Sequence, residues 1–203
     1  MIAIVLHVYY TELWGYYERK LQSLETKFDL YITLCEDVED ITDDILRSFP
    51  HASVKKYPNK GQDIGPFLLT IKDIRHKDYD YLIKLHTKGF GRVATASNKA
   101  ERETLRRLTK EWRKVLVQAL IGSDDKIKEN ISILTASDFK MCGAKEWNFG
   151  GPYKTQARKW ACPGFAPQYY RFIGGTMFMV DFKFFTECWT DLVIDITYSQ
   201  LPT

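Results

Sequence analysis

Short unbroken apolar runs alternate along this chain with stretches in which apolar residues return every three or four positions. IAIVLHVY (2–9) is the first such run, and its length and polar flanks predict a strand covered on both faces. Thr11 then offers a helix N-cap and Glu12 an acidic first turn, and Leu13, Tyr16, Tyr17, Leu21 and Leu24 keep helical spacing over 12–25. FDLYITLC (28–35) repeats the strand pattern, Ile41, Ile45, Leu46 and Phe49 predict a second helix closed by Pro50, and ASVKKYP (52–58) predicts a short third strand. A helix over 65–76, a strand DYDYLIKLHT (78–87) and a long helix over 100–121 come next. Ser123 and Asp124 cap a helix over 124–131, and ISILTASDF (131–139) predicts a strand with its exit loop. Residues 140–170, rich in Gly, Pro and aromatics, predict an irregular segment; RFIGGTMFMVD (171–181) predicts a strand opening on a glycine pair, and FKFFTECW begins a helix.

Strand and helix alternate, which predicts one α/β domain over 1–203, a Rossmann-like, mainly parallel sheet with helices on both faces. In such sheets ligands bind at the carboxyl ends of the strands. By that rule Cys35–Asp37, the loop 59–65, His86–Lys88 and Ser137–Asp138 share one edge.

Composition narrows the picture. At 203 residues with 45% hydrophobic and 27% charged side chains, the chain can bury a sizeable core. Its net charge of +3 produces no domain-wide basic field, which argues against nucleic acid as the partner. The local basic run KAERETLRRLTKEWRK (99–114) is either a solvated helix face or a face near an anionic ligand or membrane. Cys35, Cys142, Cys162 and Cys188 show no zinc or CxxC spacing, and the apolar start lacks the basic flank of a signal peptide. Reduced thiols and a cytoplasmic location are therefore expected, with the inner face of the membrane as an alternative placement.

Two loops carry the candidate chemistry. In NKGQDIG, Asp63 lies between Gly61 and Gly65 near a helix start; it serves either as an N-cap or as an acceptor for a ribose or sugar hydroxyl. In KLHTKGF, Lys84 and His86 alternate onto one strand face, and His86, Thr87 and Lys88 together offer an imidazole, a hydroxyl and an ammonium to a diphosphate. The alternative is a core histidine beside a surface lysine. Gly174 and Gly175 form either a bend or a backbone floor under a ligand. The aromatics of 147–170, among them Trp147, Phe149, Tyr153, Trp160, Phe165, Tyr169 and Tyr170, either stack on sugar faces or pack a lid. No nucleophile elbow, HExxH or Walker sequence is present.

IAIVLHVYY, FDLYIT, NKGQDIGPFL, YDYLIKLHTK, the WR…L…LIGS helix and IGGTMFMV, in this order over most of 1–185, resemble the rhamnan synthesis protein F family of bacterial cell-surface polysaccharide assembly. The resemblance implies a GT-A-type glycosyltransferase that moves a sugar, rhamnose favoured, from a nucleotide-sugar donor such as dTDP-rhamnose to a surface polysaccharide or lipid-linked precursor. A non-catalytic glycan- or nucleotide-sugar-binding module of the same fold is the alternative, and whether the chain is complete or one module beside other transferase modules stays open. On this resemblance Glu36 and Asp37 approach the base, Asn59, Gly61 and Asp63 the ribose or donor sugar, and His86, Thr87 and Lys88 the diphosphate, with Gly174 and Gly175 beneath. Many GT-A enzymes carry an Asp-x-Asp metal motif where His86-Thr87-Lys88 stands here, so no metal ligands and no cofactor are expected, with Mg²⁺ or Mn²⁺ as the alternative. Asp138 and Asp181 are the candidate bases for deprotonating the acceptor.

Overall fold

A computed structural model describes residues 1–89, 97–144, 148–152, 169–173 and 176–203, with side chains omitted for 148–152 and 169–173. Seven consecutive buried residues make β1 (Ile2–Val8) the centre of the sheet. It pairs in parallel with β2 (Phe28–Cys35) on one side and with β4 (Tyr81–His86) on the other, and β2 pairs in parallel with β3 (Ser53–Tyr57). β8 (Phe178–Asp181) runs antiparallel beside β4, and β5 (Met141–Cys142) antiparallel beside β8. The six-stranded order is β3-β2-β1-β4-β8-β5. A separate antiparallel pair joins β6 (Asn148–Pro152) to β7 (Tyr169–Ile173).

The period-2 alternation of the strands divides the core. Ile2, Ile4, Leu6 and Val8 pack with Ile83 and Leu85 against α1 (Trp14–Gln22), α2 (Thr42–Ser48), α4 (Lys99–Ile121) and α5 (Asp124–Ala136). Ala3, Val5, Tyr31 and Leu82 face α3 (Ile64–Ile74), α6 (Phe182–Cys188) and α7 (Asp191–Gln200). Helices thus cover both faces, as the strand–helix alternation predicts. None among the described residues is long and apolar enough to cross a membrane.

Several sequence expectations change, two of them with consequences for the candidate bases. ISILTASDF is not a strand: α5 continues through Ala136, and its buried residues Ile127, Asn130 and Leu134 recur at helical spacing. Asn130 Nδ2 donates to the Ala119 carbonyl at 2.8 Å, tying α5 to the end of α4. A short apolar run reads alike as strand or helix, and packing on α4 decides it. The predicted strand 171–181 is also divided into β7 and β8, with Gly174 and Gly175 between them and outside the described residues.

These changes relocate both candidate bases. β8 is antiparallel to β4 and pairs Asp181 with Tyr81, the first residue of β4. Asp181 therefore stands at the amino edge of the parallel strands, where its carboxylate accepts from Phe184 N at 2.9 Å and caps α6. Asp138 is exposed just before β5, whose Met141 pairs with Val180, so it belongs to the same edge. Neither lies at the carboxyl edge, where the sequence alone sets Asp138, and neither lines the cleft that opens there. Asp181→Ala is expected to cost about 1 kcal/mol of stability through the lost cap, read by urea denaturation, and to leave binding at the carboxyl edge unchanged.

Candidate functional site

β1 and β4 are neighbours, but the chain leaves β1 toward β2 on one side and reaches β4 only after passing through β3. Their carboxyl ends therefore flank a topological switch point, where α/β sheets open a crevice. A cleft of about 560 Å³ occurs there, lined by His7, Tyr9 and Tyr10 after β1, His86, Thr87 and Lys88 after β4, Asn59, Gln62 and Asp63 before α3, and Thr109 and Trp112 of α4.

Beneath the cleft lies a buried charge pair. Lys84, 1% exposed in the middle of β4, directs Nζ to Asp63 Oδ2 at 2.5 Å and donates to the Thr176 carbonyl at 3.0 Å. The same carboxylate oxygen accepts from Thr176 Oγ1 at 2.9 Å and lies 3.3 Å from His86 Nδ1. Asp63 occupies the N-cap position of α3 but makes no side-chain cap bond; the sheet lysine takes its carboxylate instead. Burial alone would raise the Asp63 pKa, but the His86 hydrogen bond and the Lys84 charge outweigh it and hold the carboxyl well below its usual range. Burial lowers Lys84, with Asp63 opposing. An ionised carboxylate and an ammonium in contact are the state this geometry favours.

Burial favours the neutral form of the histidines beside this pair. His7 and His86 face each other in the last register position of β1 and β4. Burial pushes His7 from 6.5 down to about 4, against the pull of Asp63, and its Nδ1 shares a 2.9 Å hydrogen bond with Thr33 Oγ1. Burial likewise lowers His86, against the hydrogen bond that its ring donates to the Asp63 carboxylate. The carboxylate favours the tautomer with the proton on Nδ1, which leaves Nε2 of His86 a lone pair.

Other parts of the rim are backbone stitching. Thr87 Oγ1 accepts from both Tyr9 N and Tyr10 N at 3.0 Å, and Thr87 N donates to the His7 carbonyl at 2.9 Å. Its lone pairs close the ends of β1 and β4, and only its O–H proton is left to offer a ligand. Lys88 is half-buried, with Nζ 4.2 Å from the centre of the Trp112 ring and its carbonyl accepting from Arg113 Nη1 at 2.8 Å. Gly89 lies flat against Tyr10, where a Cβ would fall 2.4 Å from the ring.

The structure therefore brings together Asn59, Asp63, His86, Thr87 and Lys88. Glu36 and Asp37 are exposed after β2 on the same edge but do not line the cleft. Gly61, at φ +69°, braces the C-terminal segment: its N–H donates to the Pro202 carbonyl at 2.8 Å, and a Cβ would meet Leu201 Cδ1 at 2.5 Å. Gly174 and Gly175 lie outside the described residues, as do Trp147, Tyr153, Trp160 and Phe165. His7, Gln62 and Trp112 line the cleft without having been singled out from the sequence. For His7 the available signal was a polar residue at the carboxyl end of an otherwise apolar strand.

The model for the family described as rhamnan synthesis protein F matches residues 1–164. The chain belongs to the rhamnan synthesis protein F family. No curated protein and no solved structure matches it significantly. The rhamnan synthesis protein F match takes in every cleft residue named above; Thr176, which completes the buried knot, and the brace at 201–202 lie beyond it.

Lys84→Met leaves the Asp63 carboxylate buried without its counter-charge and is expected to cost about 3–5 kcal/mol, whereas Lys84→Met combined with Asp63→Leu recovers much of that loss in urea denaturation. A second outcome concerns pH. His7 titrates lower folded than unfolded, so its contribution is complete above pH 6.5 and is lost as pH falls toward about 4. The loss amounts to about 3 kcal/mol over that window, and His7→Gln is expected to flatten the acid side of a stability–pH profile.

Proposed function

We propose that this cleft is the donor site of a GT-A-type glycosyltransferase that moves a sugar, rhamnose favoured, from a nucleotide donor to a surface polysaccharide or its lipid-linked precursor. The observation that carries the reading is the cleft at the β1–β4 switch point, where the Lys88 ammonium, the imidazoles of His7 and His86 and the amides of Asn59 and Gln62 converge. Membership in the rhamnan synthesis protein F family supports the same direction.

In this reading Lys88 neutralises the diphosphate, with the Thr87 proton beside it. His86 is not part of that clamp: a neutral ring whose Nδ1 proton is directed at Asp63 has an acceptor left, which suits a hydroxyl and not a phosphate. Its Nε2 takes the acceptor's proton as the acceptor oxygen bonds to the sugar's anomeric carbon, and the bond from that carbon to the phosphate oxygen breaks with its electron pair leaving on the diphosphate. Asn59 and Gln62 supply side-chain amides for ribose or sugar hydroxyls.

The donor set does not suit the divalent ion that many GT-A enzymes use. Among the described residues no three His, Cys, Asp or Glu side chains are arranged to hold a metal. Asp63, the one carboxylate among the described residues that line the cleft, is already paired with Lys84.

Calorimetry with dTDP and dTDP-rhamnose is expected to give affinities that agree within threefold in chelator and in Mn²⁺; recovery by Mn²⁺ alone refutes the electrostatic assignment. Lys88→Ala is expected to weaken dTDP binding tenfold or more. His86→Gln, compared per folded molecule because the ring is buried, is expected to lower turnover by 10²-fold or more with little change in dTDP affinity. Donor binding with no transfer or hydrolysis of any nucleotide sugar would favour the non-catalytic module.

A further inference from the structure

The two halves of α4 have different surroundings. Its 23 residues span about 35 Å. The C-terminal half buries Arg113, Leu116, Val117, Leu120 and Ile121, whereas residues 99–104 and 106–108 are exposed without exception. The projecting half is held at its start by a reciprocal cap: Asn98 Oδ1 accepts from Glu101 N at 2.9 Å, and Glu101 Oε2 accepts from Ser97 N at 2.7 Å. It is thus capped by its own residues and owes little to packing.

Its charge is concentrated. Residues 99–114 carry seven cationic side chains against three carboxylates, a larger excess than the +3 of the whole chain. Arg102 and Arg106 lie eleven and seven residues before Arg113, so the three share one stripe, with Lys110 at its border. Elsewhere surface lysines rest on carboxylates, as Lys55 does on Asp73 at 2.8 Å and Lys72 on Asp195 at 2.7 Å. Among the described residues Arg102, Arg106, Arg107, Lys110 and Lys114 have no carboxylate within 4.0 Å, although Glu103 and Glu111 each stand one turn from Arg107. Leu105 and Leu108 occupy an adjoining side, and Leu108 is 55% exposed.

We propose that the projecting half of α4 is a docking surface for an anionic lipid bilayer. Each cation near such a surface strengthens attachment roughly fivefold, and an exposed leucine such as Leu108 enters the head-group boundary, a contact that phosphate-backbone binding does not use. Thr109 and Trp112 of the same helix line the cleft, so attachment through α4 brings the cleft mouth to the lipid face. The proposal does not depend on which donor the cleft takes.

The test is sedimentation of the full chain with vesicles of neutral lipid alone or with about a third anionic lipid, at low and physiological salt. Binding is expected only to the anionic vesicles, weakening as salt rises. Arg102→Glu with Arg106→Glu and Lys110→Glu is expected to reduce it tenfold or more, while Lys126→Glu with Lys128→Glu on α5 leaves it within twofold; circular dichroism checks that both variants fold. Equal loss in the two variants, equal binding to neutral vesicles, or duplex DNA stripping the protein from vesicles at matched phosphate would each overturn the proposal.

Discussion

The contact between Lys84 and Asp63 organises the carboxyl edge of the sheet. A lysine in a strand buried at every residue but its first is costly unless its charge is met, and the partner that meets it comes from another element, the turn into α3. Closing that pair fixes the 59–63 loop against the sheet. Thr176 adds both its carbonyl and its hydroxyl, so the segment entering β8 is held to the same point. Three parts of the chain remote in sequence are thereby positioned by one ion pair, and the cleft floor takes its shape from it.

The pair also sets the protonation of what lies beside it. A carboxylate already committed to an ammonium still orients a neighbouring imidazole, but burial keeps that imidazole uncharged. The floor therefore presents neutral acceptors, while positive charge is displaced to Lys88 at the rim. A ligand with a charged end and a hydroxylated end meets two different environments within one cleft. That separation favours one orientation over its reverse.

Much of this was legible in the residues. The apolar runs gave β1, β2 and β4, and the rule for carboxyl ends placed Asp63, His86 and Lys88 on one edge. What escaped the sequence were features decided by long-range packing. ISIL has the composition of a strand, but Ile127, Asn130 and Leu134 fit the end of α4 only as a helix. Without that helix and the reversed direction of β8, nothing in the sequence could show that Asp138 and Asp181 belong to the far edge. The choice between a cap and a ligand contact for Asp63 missed a third outcome, because the depth of Lys84 depends on three neighbouring elements. His7 was hidden by the apolar residues around it.

Gly61 carries a consequence for how the cleft communicates. Its N–H and its bare Cα face receive Pro202 and Leu201, and next to it Lys60 stands 4.7 Å over the ring of Tyr198. Asn59 and Gln62 flank this joint and line the cleft. The end of α7 is thereby anchored in the loop that carries those two amides, so a change of tilt in that helix is felt first at the backbone between them.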